Sequence, residues 1–138
     1  LMDSDSPGCI HPPKKREAGE RMALWALAET YGVEGIHYRS PEVESLTIEG
    51  RVAIITMDLP AHPGLTTHGK EIYQFQIAGE NKNFYPAKAA LVRNQIFVFS
   101  PHVKNPVPVR YCFNDTADTE IFTVEGNLPV SSFRTDDW

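Results

Sequence analysis

A single helical segment followed by about seven strand-like runs is the feature that most narrows the folds open to this chain. The helical signal covers about Pro13 to Tyr31. Pro12 and Pro13 suit the start of a helix, where proline sacrifices no hydrogen bond, and both stiffen the segment that carries His11. Leu24, Leu27, Ala28 and Tyr31 follow the i, i+3, i+4, i+7 spacing of one apolar face. Met22 to Ala28 is apolar without a break, a run wide enough to predict burial on more than one side. Gly32 follows, where a left-handed residue commonly ends a helix. On this reading Trp25 and Tyr31 belong to a core. One helix so apolar needs a second layer to cover it, and no other long helix is predicted.

From about Glu42 the hydrophobic period shortens to that of β structure. Strands are expected over Val43–Glu49, Val52–Leu59, Ile72–Ala78, Phe84–Val92, Gln95–Ser100, Pro106–Phe113 and Ile121–Val124. Val52–Leu59 is apolar on both faces and reads as a central strand. Tyr73, Phe75 and Ile77 alternate with Gln74 and Gln76, and Tyr85, Ala87, Ala89 and Leu91 share one side of their run. Pro86 marks an edge or a bulge. Pro60–Lys70 reads as a long loop, and Leu128–Trp138 as a tail packed over the domain, with Arg134 paired to an aspartate. Turns every 8 to 12 residues point to an antiparallel, jelly-roll-like β-sandwich. A sandwich preceded by one apolar helix is odd as a single unit. The expected division is therefore a loop and helix over residues 1–40, belonging to an upstream domain, and a sandwich over 41–138.

A net charge of −5 over 138 residues argues against nucleic acid, which requires clustered basic side chains. The apolar runs are too short to span a bilayer, and the polar start Leu-Met-Asp-Ser-Asp-Ser carries no signal-peptide pattern. The initial Leu1 suggests a fragment or processed product. Two cysteines, Cys9 and Cys112, make no disulfide framework. Chemistry then falls first to His11. Histidine titrates near neutrality, so it can take a proton from a hydroxyl nucleophile and return it to a leaving group. His62 and His68 share one loop near Asp58, but two histidines six apart fall short of the three or four ligands of a metal site. That loop could instead face an active site across the domain boundary.

Longer motifs add to this. Ile10-His11-Pro12 with Lys15, followed by Arg21-Met22-Ala23-Leu24 and the ending Tyr31-Gly32, resembles the C-terminal catalytic block of sialate O-acetylesterases, which are SGNH-type carbohydrate esterases. Phe75-Gln76-Ile77-Ala78-Gly79-Glu80 with Phe84–Ala89, the Asn105–Tyr111 block and the ending Leu128 to Trp138 resemble the sandwich part of the same family, in the same order. The resemblance implies hydrolysis of O-acetyl esters of sialic acid or related sugars by a Ser-His(-Asp) mechanism, with no metal or organic cofactor. It implies that His11 is the general base and that an aspartate orients it. Gly8 and Cys9 stand where that aspartate is common, leaving Asp3 and Asp5 in the same loop as candidates. The Gly-Gln-Ser nucleophile block does not occur here: Ser40, Ser45, Ser100, Ser131 and Ser132 lack its glycine flank. The expected partners are an acetylated sugar and an upstream catalytic portion carrying the serine, in an extracytoplasmic compartment. A non-catalytic sandwich module that binds carbohydrate or a partner chain is the alternative expectation.

Overall fold

The computed structural model describes residues 3, 11, 13–59 and 64–138. The helix α1 spans Lys15–Trp25 and continues as a π-helical turn over Ala26–Thr30, ended by Gly32 at φ +66°. Burial on several sides, expected from its apolar run, is not what the fold provides. No residue of either helical segment is buried. Met22 is 66% exposed, Tyr31 74% and Trp25 46%, so Trp25 and Tyr31 are not core residues of the described chain. Periodicity reports that a face needs cover; the described residues do not supply the layer that would cover it.

The remainder is mainly β and antiparallel, as the strand spacing requires. Strands β1 (Glu42–Glu49), β2 (Val52–Asp58), β3 (Leu65–Thr66), β4 (Phe75–Ala78) and β5 (Phe84–Val92) come first. Then follow β6 (Gln95–Phe99), β7 (Val109–Tyr111), β8 (Phe122–Thr123) and β9 (Phe133–Arg134). Seven of them form one array in the order β1-β2-β6-β5-β4-β7-β9, while β3 and β8 pair separately. Strand β5 joins the two halves of the array. Phe84–Ala87 pair with β4, and Lys88–Val92 pair with β6. A strand that changes partner midway folds one sheet over another, the corner device of sandwiches and small barrels. Pro86 sits in the first half, opposite Gln76, at a position with a single ladder partner where a missing N–H is tolerated.

The two halves close on one core. β2 contributes Ala53, Ile55 and Met57, β6 Ile96 and Val98, β4 Phe75 and Ile77, and β7 Val109 and Tyr111. The Tyr111 hydroxyl is satisfied inside this core. It donates to Thr119 Oγ1 at 3.0 Å and accepts the Glu120 N–H at 2.8 Å, and Thr119 in turn donates to the Val130 carbonyl at 2.9 Å. Burial pushes the Cys112 thiol up to about 12, so it stays neutral; Cys9 lies outside the described residues. Two strand expectations shift. β4 begins at Phe75, and Tyr73 is not on its inner face. β7 ends at Tyr111, because Cys112 takes φ +48° and turns Phe113 outward.

The tail packs as expected, with Arg134 paired to an aspartate, Asp136, which a second cation holds more closely. Arg110 holds Asp136 in a two-pronged pair, Nε to Oδ2 at 2.8 Å and Nη2 to Oδ1 at 2.6 Å. Arg134 stands 4.0 Å from the same Oδ1. The Arg110 guanidinium also lies 3.9 Å from the Phe84 ring centre and 4.9 Å from that of Phe113, where a delocalised cation is attracted to the ring face.

Two outcomes follow from this packing. Phe75→Ala should destabilise the domain by about 3–5 kcal/mol in denaturant unfolding, the usual loss for a large buried aromatic. The hydrogen bonds from Arg110 hold the Asp136 carboxyl below its ordinary value. Its stabilising contribution is then complete above the unfolded value and is lost as pH falls through the lowered folded value. Asp136→Asn should therefore be less stable than the parent at neutral pH, and its melting temperature should fall less steeply between about pH 5 and pH 2.

Candidate active site

His11 stands in a bend just ahead of α1, exposed at the surface. The helix fixes the chain on the far side of it. The Arg21 guanidinium donates to both oxygens of Asp3, at 2.6 and 2.7 Å, and the Lys14 ammonium donates to the Asp3 carbonyl at 2.6 Å. Positions 14 and 21 are two helical turns apart and share one face. The segment bearing His11 is thus tied down at residue 3 and anchored at residue 14 where the helix begins. The Arg21 hydrogen bonds hold the Asp3 carboxyl below its ordinary value, so it remains an anion at neutral pH. Asp3 is therefore engaged by Arg21, a partner the resemblance did not name. Asp5 lies outside the described residues.

The far end of the helix is oriented by the connector to the β domain. Trp25 meets Tyr38 edge-on, with ring centres 5.1 Å apart, and the Tyr38 hydroxyl donates to Glu29. Arg39 pairs with Asp58 at the end of β2, and His37 Nε2 lies 3.0 Å from a Glu125 carboxyl oxygen. At this crossing Gly126 takes φ +75°, and a Cβ there would stand 2.9 Å from the His37 Cβ. A larger residue would displace the connector. Met22, Trp25, Leu27 and Tyr31 present exposed apolar surface along the helix that follows His11.

The other sequence candidates are placed apart from this arrangement. His68 Nε2 is 2.9 Å from the Asn127 Oδ1, with its ring against Phe122, so it joins the turn after β3 to β8 and the turn that follows it. His62 lies outside the described residues. Among the described residues no three His, Cys, Asp or Glu side chains are arranged to hold a metal ion. Ser100 is buried at the end of β6, which leaves its hydroxyl no access to a substrate. Among the described residues no helix is long and apolar enough to cross a membrane. Arg21 was invisible as a partner from the sequence, because only the 3-to-21 contact reveals its role; its position seven residues beyond Lys14 was the available signal.

A double-mutant cycle measures this tether. Asp3→Ala and Arg21→Ala should show a coupling of about 0.5–1 kcal/mol in the opening free energy of the helix amides, for a pair whose side chains are 16% (Arg21) and 14% (Asp3) exposed.

Comparison with known proteins gives a sharply uneven result. No protein-family model matches the chain, and no curated protein does. Among solved structures, a carbohydrate acetylesterase from Xanthomonas citri is 35% identical to it, with a TM-score of 0.91. The match takes in 100% of this chain and 32% of the Xanthomonas chain. This chain thus spans about a third of the length of that protein and shares the fold of that third.

Proposed function

We propose that this chain is the C-terminal portion of a carbohydrate O-acetylesterase, with His11 as its general base. The observation that carries the reading is the full-length similarity to an acetylesterase three times as long. The exposed apolar helix beside His11 supports it, since such a face fits cover by a further layer of the enzyme. The division at about residue 40 belongs to the same proposal: residues 1–40 complete an SGNH-type α/β domain, and 41–138 form the appended β domain.

In this scheme a serine from the upstream portion attacks the acetyl carbonyl while His11 accepts its proton. Hydrogen-bond donors of that portion hold the oxyanion. The protonated His11 then gives its proton to the departing sugar oxygen, and a water molecule, deprotonated by His11, releases acetate from the serine. The orienting carboxylate is Asp3 or Asp5. Whichever amide variant lowers kcat with KM unchanged identifies it, whereas a mere anchoring role for Asp3 makes Asp3→Asn and Arg21→Met equivalent. The finer proposal is a sialate O-acetylesterase acting on O-acetyl esters of sialic acid or related sugars in an extracytoplasmic compartment. It rests on the motif resemblance around His11 and in the β domain.

The test is His11→Ala in the longer polypeptide that includes these residues, assayed for acetate release. Turnover should fall by about 10²–10⁴-fold, the usual contribution of a positioned acid–base group. An unchanged rate would remove His11 from the mechanism.

A further inference from the structure

A groove of about 870 Å³ runs beside β5, lined by the 65–73 segment on one wall and by residues 86–91 of the strand on the other, with His102 at its margin. Three features of it are unexplained by the fold. First, Tyr73 is 70% exposed yet held in place: its N–H donates to Glu120 Oε2 at 2.8 Å and its hydroxyl to Glu71. A rigid, exposed aromatic ring in a groove is a ready stacking surface that loses little entropy on binding. Second, Lys70 and Lys88 stand in the groove with no ion pair among the described residues, in a chain whose net charge is −5. The neighbouring acids keep their charge but are held at the Tyr73 end of the groove: Glu71 accepts the Tyr73 hydroxyl and Glu120 its N–H, and neither forms an ion pair with Lys70 or Lys88. Third, β5 pairs only with β6 from Lys88 onward, so no strand of the described array pairs with its other edge there. Backbone polar groups and the hydroxyls of Thr66 and Thr67 thus add hydrogen-bonding capacity to the wall.

A stacking ring, two cations with no ion pair among the described residues and a polar backbone edge in one ligand-sized cleft match a sugar chain bearing carboxylates. We propose that the β5 groove binds a carboxylated oligosaccharide, stacked on Tyr73 and paired through Lys70 and Lys88. The ring accepts the apolar face of a pyranose. The ammonium groups form charge-assisted hydrogen bonds with the carboxylates, which neutral sugars cannot offer. The proposal is independent of the esterase reading, because the ligand needs no acetyl group and the groove needs no serine.

The experiment is a titration of the 138-residue chain, labelled with nitrogen-15, with tri-galacturonic acid and separately with xylotriose. Amide shifts should move at Lys70–Tyr73 and Ala87–Leu91 with tri-galacturonic acid, and the affinity should fall about tenfold or more at 0.5 M salt by screening. The Lys70→Ala/Lys88→Ala variant should keep the parent's melting temperature and lose that binding, and Tyr73→Ala should weaken it without altering its salt dependence. Absence of shifts at about 10 mM ligand, far above any useful affinity, would overturn the proposal. So would equal shifts with xylotriose that survive the double lysine substitution, since the groove would then take neutral sugars. Loss of His11 function in the longer protein would leave this result unaffected.

Discussion

Strand β5 answers to two sheets. Its first half is laddered to β4 and its second to β6, so one run of nine residues carries both halves of the β domain over a common core. Ala87, Ala89 and Leu91 point into that core or toward it, while Pro86, Lys88 and Ala90 point out. A single change of pairing thus closes the domain and at the same time opens the groove on its unpaired edge. The buried Tyr111–Thr119 network and the Arg110–Asp136 clamp then fasten the later strands and the tail to the same core. None of this uses the helix.

That independence is what makes the helix informative. The β domain completes its core with strands alone, whereas α1 and its π turn bury no residue in the described structure. An isolated helix of this length is marginal in water, and in folded proteins such a helix is held by the packing of its apolar face. Here the contacts are few: Arg21 and Lys14 on Asp3, the Tyr38 hydroxyl on Glu29, and the Trp25 ring edge-on to Tyr38. They orient the helix and the His11 loop without covering the apolar side. In the proposed esterase a further layer would cover that side; the similar Xanthomonas acetylesterase is matched over 32% of its length.

Much of the fold was legible in the sequence because β periodicity and turn chemistry are local. The bounds of β5 follow directly from the alternation Tyr85, Ala87, Ala89, Leu91, and Pro86 correctly marked a position with one ladder partner. β1, β2 and β6 stand within a residue or so of their apolar runs. The failures have one physical character: they depend on what meets a segment in space. The burial of Trp25 and Tyr31 was misread because an apolar face looks the same whether its cover lies within or beyond the described chain. Tyr73 continued the alternation of β4 but precedes the strand, since the Glu120 side chain captures its N–H. Strands β3 and β9, two residues each, are too short to show any period, whereas β8 falls within the expected run Ile121–Val124. Arg134 was expected to pair with an aspartate and does pair with Asp136, but the closer partner, Arg110, comes from another strand and could not be read from the tail. Around the candidate site, His11 and its place before the helix could be read from the chain. The Arg21–Asp3 tether and the groove could not, because both are assembled from residues distant in sequence.

Hydrogen exchange of the helix amides tests the central claim, that α1 belongs to a layer beyond the β domain. In the 138-residue chain, residues 18–30 should exchange through local opening, far faster than the amides of β2 and β6, which should open only with global unfolding. In the longer polypeptide the same helix amides should become as protected as those strands. Helix protection equal to that of β2 and β6 in the 138-residue chain alone would contradict the account, since the helix would then need no further layer to hold it.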